Sequence, residues 1–583
     1  MPRIRPALAL GLALSLLPPL AWAEEAARDM TAESAAVSEP MNAGAYLAAR
    51  IAAANGDYRA AAHWFTEALK ADPVNPRLLE GATVSAMGLG DFTAAAVTAR
   101  GLADLGDKSQ VGALALLTDA AGRKDYAGIK QLLAEGRSGG ALLDALVTAW
   151  AEAGEGQVSE AVAAFDKIAK TPGREIFGAY HQALALGMAG DFEGADKALS
   201  SDKAKAARVL RRVVLAHVQI LSQLERNPEA LALLDEVFAP GQDIAVEELR
   251  TRLQNGETLP WTMVQTPEQG MAEVFYTLAS ATRGEADSGY TLLLSRATAF
   301  LRPDHTEALL TAAALLNGDG QPDLAAETYA QVSSEAPEHY LAELGRAETL
   351  VAAGKPDAAL EVMQALSKAY PKLRVVHVTY GDMLRRQDRF EDATKAYDAA
   401  IALIGTPNAD DWRLFFSRGI CHERQKRWDL AEADLRKALE LSPDQPQALN
   451  YLGYSYLELN RNLDEALRLI ERAVEVEPNS GAITDSLAWA YFRMGRYADA
   501  VEPMERASMM EPVDPVVTDH LGDIYWAVGR QLEARFQWRR ALSYGPEEKD
   551  ATRIRRKLEL GLDKVLAEEG AAPLETRNAE NDH

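Results

Sequence analysis

Along most of this chain the apolar positions fall three and four residues apart, in runs long enough for about three helical turns, and the runs break at Gly-Asp, Gly-Arg or Pro. Strict alternation of apolar and polar residues, the mark of a half-buried strand, is hard to find anywhere. The pattern predicts helices throughout and almost no strand. The runs also come in pairs, and the pairs repeat. Leu452-Gly453 aligns with Leu487-Ala488 and Leu521-Gly522, and the same alignment superposes Tyr456, Tyr491 and Tyr525, then Ala466, Ala500 and Ala534, then Ala473, Ala507 and Ala541. Pro478, Pro512 and Pro546 close the three units.

The residue types explain the spacing. A Leu beside a Gly or Ala in the first helix makes a knob next to a hole, and the alanines of the second helix let the two axes approach closely. Gly495 and Gly529 stand where the first helix ends with a positive φ, and the closing prolines stop the second. One such hairpin leaves an apolar face open that only another hairpin covers, so the units must stack. The expected fold is all-α, a solenoid of about twelve hairpins.

Landmarks of the unit recur from residue 42 onward. Residues 42–238 carry looser copies, marked by Gly56-Asp57-Tyr58, Gly90-Asp91-Phe92, Asp125-Tyr126, Ala161 with Phe165, Gly190-Asp191-Phe192 and the Asn227-Pro228 turn. The repeat lapses over 239–270, where Pro240-Gly241, Gly256, Pro260 and Pro267 leave room for one short helix, 246–253; this is the expected linker or hinge. Hairpins resume over 271–546 and are sharpest after Trp412. In 547–566, Ile554, Leu558, Leu562 and Leu566 lie four apart, which predicts an amphipathic helix capping the last hairpin, followed by a polar, disordered tail over 567–583.

A period near 34 with Leu-Gly, Tyr, paired Ala positions and a closing Pro is the pattern of tetratricopeptide repeats. The chain resembles that family from residue 42 to its cap, and looks like its exported members in Gram-negative envelopes. The resemblance implies a right-handed superhelix whose first helices line a concave groove, and an activity of binding proteins or peptides. Placed on this sequence, the implied groove is formed by Phe416, Glu423 and Arg424, then Asn450, Tyr454 and Glu458, then Asp485, Trp489, Phe492 and Arg493, then Asp519, Asp523 and Trp526. Tyr454, Trp489, Phe492 and Trp526 are more aromatic than a solvated face requires, and Asn450, Asp485 and Asp519 recur at one repeat position, where polar side chains can hold an extended backbone. The alternative is that these aromatics pack against the next helix or the cap.

Charge narrows the partners. The chain has 61 Lys and Arg against 86 Asp and Glu, and its formal charge of -25 sets up a field that repels nucleic-acid phosphates and anionic lipid. No nucleic-acid partner is expected. Arg3 and Arg5 precede the apolar run Ala7 to Leu17 and then Ala21-Trp22-Ala23, the layout of a secretory signal. Residues 1–23 are therefore expected to be removed, 24–41 to form a flexible leader, and the mature protein to reside in the periplasm. No later run is apolar and long enough to span a membrane. The single Cys421 excludes an intrachain disulfide and is expected to be a small buried side chain.

Catalytic patterns are not found. His422-Glu423 opens like a zinc-protease helix, but Lys426 stands where the second histidine belongs, which leaves a surface His-Glu pair. There is no phosphate-binding loop and no nucleophile elbow, and acidic pairs such as Glu247-Glu248 fall on exposed helix. The expectation is no cofactor, no metal and no catalysis: an exported scaffold that binds a protein or peptide in its C-terminal groove. The alternative is a structural part in polysaccharide export or outer-membrane assembly.

Overall fold

A computed structural model describes residues 42–200, 210–239, 243–282, 288–571 and 574. The expected signal segment, the leader and the tail beyond 574 lie outside the described residues. Among the described residues there are 31 α-helices and no strand. Successive helices pack as hairpins, and the hairpins cluster into two compact units, Met1–Leu366 and Ser367–His583.

In the first unit the turns are written in Asp and Gly. Asp57, Asp91, Asp125 and Asp191 each cap a second helix, as when Asp91 Oδ1 accepts the Ala94 N–H at 2.9 Å. A cap of this type contributes about 1 kcal/mol. Before each of them the chain passes through a left-handed residue: Gly56 at φ 67°, Gly90 and Gly190 at φ 83°, and Lys124 at φ 58° before Asp125. The second helix then seats a large ring on a small residue of the next first helix: a Cβ on Gly81 would lie 2.3 Å from the Phe65 ring. Phe65 and Phe165 are fully buried, and such burial stabilises by roughly 3 kcal/mol each.

The same unit folds back on itself. Helices Pro267–Thr282 and Ser288–Leu301 pack against the first helices Pro76–Leu89, Gln110–Gly122, Ala141–Gly154 and Glu175–Ala189. Gly270 lies flat on Trp150, Phe300 meets Phe92 with centroids 5.3 Å apart, and Arg296 Nε donates to the Gly88 carbonyl at 3.0 Å. The face that first helices would present as a groove is thus covered by the chain's own later helices.

Ionic contacts lock this arrangement. Glu273 is wholly buried and receives Arg212, Arg302 at 3.4 Å and the Tyr180 hydroxyl at 3.2 Å, while Glu307 takes Arg212 at 3.0 Å and Arg211 at 2.9 Å. Burial opposes ionisation of Glu273, but Arg212 and His305 outweigh it and hold the carboxyl far below the usual range.

The described part of the stretch 239–270, from residue 243 onward, differs from a hinge. It carries a longer helix than expected, Ile244–Gln254, and after it the backbone is pinned: Trp261 covers Gly187, its Nε1 donates to the Val264 carbonyl at 2.7 Å, and Met263 and Val264 are buried. The division between compact units falls instead at Leu366 and Ser367. Helices 267–301 belong to the core of the first unit, so the irregular segment before them lies inside that unit.

The second unit stacks the hairpins anticipated from the alignment. Ala466, Ala500, Ala534, Ala473, Ala507 and Ala541 are fully buried. A Cβ on Gly453 would lie 2.7 Å from Ile470, and one on Gly522 would lie 2.5 Å from Trp538. Cys421 is buried, as its helix position predicts. His422 is a correction: it is buried as well, with Nε2 3.8 Å from Asp434, because its turn of helix faces the second helix of the hairpin. The cap is two helices, Glu548–Leu560 and Leu562–Glu568, broken at Gly561 (φ 86°), where the Trp526 ring leaves no space for a Cβ.

Candidate functional site: the first helices of the second unit

First helices Trp412–Arg424, Pro446–Glu458, Gly481–Arg493 and Pro515–Ala527 carry all thirteen implied groove residues. The structure divides them into a covered part and an open part.

The covered part is closed by the chain's own cap. Lys557, with no solvent exposure, places Nζ 2.6 Å from both Asp519 carboxylate oxygens and 2.7 Å from Asp523 Oδ1. Trp538 Nε1 donates to Asp523 Oδ1 at 2.8 Å, and Trp526 Nε1 donates to Asp563 Oδ2 at 2.8 Å. Burial, with Asp523 alongside, pushes the Asp519 carboxyl up against the pull of Lys557. Trp526 therefore packs against the cap rather than facing a groove.

One repeat earlier the aromatics stack on each other. Trp489 lies between Phe492 and His520, with centroids 4.7 and 3.9 Å away and planes within 12° and 11° of parallel. Its Nε1 donates to Glu458 at 3.2 Å, and His520 Nδ1 sits 3.0 Å from Asp485. Burial disfavours a charged His520, but Asp485, helped by Asp519 and Asp523, prevails and raises its pKa. Trp489, Phe492, Asp485, Asp523 and Trp526 are all buried, so these five hold helices together instead of lining an open surface.

The open part runs from Trp412 to Arg493. Phe416, Glu423, Asn450, Tyr454 and Arg493 are half-buried, and Arg424 and Glu458 are exposed. Phe416 bridges Trp412 and Tyr451, each with ring centroids 5.7 Å away, and the Tyr451 hydroxyl donates to Glu423 at 3.0 Å. Arg493 reaches Glu458 at 3.5 Å. Burial, then Glu458 and Asp485, push the Tyr454 phenol well above its ordinary range, so it remains a hydroxyl donor. Asn450 Oδ1 is buried and has no hydrogen-bond partner among the described residues, an arrangement that is costly unless a donor is supplied.

Family comparison fits this architecture. Models described as Tetratricopeptide repeat match residues 46–109, 381–446 and 451–508, and a second of the same description matches 316–378. The chain is a tetratricopeptide repeat protein. This repeat chain is 33% identical over 127 residues to the TPR repeat-containing protein PA4667 of Pseudomonas aeruginosa, covering 21% of this chain and 20% of that one. It is 31% identical over 112 residues to the BBSome complex member BBS4 of Bos taurus, covering 19% of this chain and 20% of that one. The matches span a fifth to a third of the curated relatives' lengths. Among solved structures, the APC/C hetero-tetramer Cut9-Hcn1 aligns at 14% identity and a TM-score of 0.36, over 89% of this chain and 96% of that one. A tetratricopeptide repeat protein from Parabacteroides merdae aligns at 19% and 0.37, over 44% and 98%.

Four residues of this repeat surface escaped the groove positions taken from the family: Trp412, Tyr451, His520 and Lys557. Trp412 was within reach, one turn before Phe416. Lys557 also had a signal, since it lies three residues after Ile554 and so on the buried side of the cap. Among the described residues no group of three His, Cys, Asp or Glu could hold a metal ion, and no helix is long and apolar enough to cross a membrane.

Proposed function

We propose that the chain is an exported scaffold that holds a protein or peptide partner on the concave face of the second unit, between Trp412 and Arg493, and performs no chemistry of its own. The observation that carries the reading is the orphaned Asn450 Oδ1 in a half-open aromatic surface. An extended partner offers a backbone N–H to this oxygen once the half-buried Asn450 side chain turns outward, while Phe416, Tyr451 and Tyr454 provide apolar area and Glu423 and Glu458 select basic side chains at the rim. The secretory pattern of residues 1–23 supports a periplasmic setting.

Arg424 and Glu458 are 61% and 50% exposed, and because Glu458 also accepts from Trp489 Nε1 and pairs with Arg493, unfolding of each variant is compared with the wild type before binding is read. The test is quantitative recovery of partners from an envelope extract on immobilised full-length chain, compared with Asn450→Ala and with Arg424→Glu, Glu458→Arg. Proteins recovered by the wild type and lost by both variants support the groove; equal recovery by all three chains overturns it.

A further inference from the structure

The outer face of the last repeat breaks a rule that the other repeats of the second unit obey. Helix Gln531–Ser543 buries Ala534, Trp538 and Ala541 and turns Leu532 and Phe536 outward, 81% and 64% exposed. Aligned on the buried alanines, the same two positions are Glu391 and Lys395, Asp429 and Ala433, Asp464 and Arg468, and Ala498 and Glu502, all exposed and mostly charged. The next outward position is exposed Arg539, where three of the four other repeats have Asp398, Glu471 or Glu505. A solvated acidic face has become an apolar pair beside a guanidinium, with Arg535 and Arg540 on its two flanks.

The surrounding charge is inverted too. Leaving aside the buried Lys557, residues 531–560 hold seven Lys and Arg against five Asp and Glu in a chain whose net charge is -25. Leu532 and Phe536 project from the outside of a helix, and among the described residues no groove receives them. A protein partner would need a matching hole, whereas the interfacial region of a bilayer admits protruding apolar side chains and sets phosphates beside the arginines. We propose that this face docks the protein reversibly on an anionic phospholipid surface, independently of what the concave groove binds. The acidic remainder of the chain is repelled by such a surface, which selects this one orientation of approach.

The test is flotation of the full chain with vesicles of phosphatidylglycerol or of phosphatidylcholine, for wild type, Leu532→Ser with Phe536→Ser, and Arg539→Glu. All three share residues 1–41, so differences among them report helix 531–543. The expected result is salt-sensitive flotation with phosphatidylglycerol, little with phosphatidylcholine, and at least a roughly tenfold loss in both variants at unchanged helical content. Equal flotation of all three chains, or none by the wild type, overturns the proposal. So does sedimentation showing that the variants lose only a self-association, which would assign the face to a second copy of the chain.

Discussion

Lys557 sets its ammonium 2.7 Å from Asp523 Oδ1 with neither side chain more than 1% exposed. Nothing but a fixed charge pair permits that burial, because an unpaired ion in this position is costly. Lys557→Met should destabilise the second unit by about 3–5 kcal/mol, the usual consequence of stranding one partner of a buried pair. Adding Asp523→Asn should recover a substantial part. Urea unfolding followed by hydrogen exchange in 515–560 measures both, and a single variant as stable as wild type would mean that the cap is held by Ile554 and Leu562 alone.

Acid should act on the first unit through Glu307. Burial opposes its ionisation, but Arg212, His305 and Arg211 outweigh that and hold the carboxyl at about 2. A folded pKa below the unfolded one gives stability that is complete above about 4.3 and is lost as pH falls through the folded value. The first unit should therefore weaken steadily between about pH 5 and pH 2. Glu307→Gln should cost about 3 kcal/mol at pH 7 and flatten that slope. Unfolding curves at stepped pH check it; an unchanged slope in the variant would place the acid sensitivity elsewhere.

The hairpins were legible because their determinants are local. Gly522 must be small since Trp538, sixteen residues on, occupies the space where its Cβ would lie, and both ends of that contact sit within one repeat. The return of helices 267–301 was not legible, because a helix covering a groove and a helix covering a neighbour are equally apolar. What sets Pro267–Thr282 apart is that Met271, Ala272, Val274 and Phe275 are all fully buried, which means burial on more than one side. The candidate site was half legible for a similar reason. Asp485, Asp519 and Asp523 look like groove residues at their repeat positions, and only the distant His520 and Lys557 show that their charge is spent inside the fold.

Gly270 decides whether the first unit stays closed. A Cβ there would fall 2.4 Å from three atoms of the Trp150 indole, and that ring cannot retreat: it is fully buried and its Nε1 donates to His181 Nδ1 at 3.0 Å. Gly270→Val should therefore force helix Pro267–Thr282 off the first helices, with the overpacking penalty of about 1–3 kcal/mol as a lower bound. Amides in 267–301 should exchange faster and an apolar dye should bind the uncovered face, while amides in 446–543 keep their protection. Gly270→Ala combined with Trp150→Phe, which removes the bulk that the new methyl meets, should restore much of the loss. If Gly270→Val leaves exchange in 267–301 unchanged, the close approach to Trp150 is not what seats these helices, and the ion pairs of Glu273 and Glu307 must hold them by themselves.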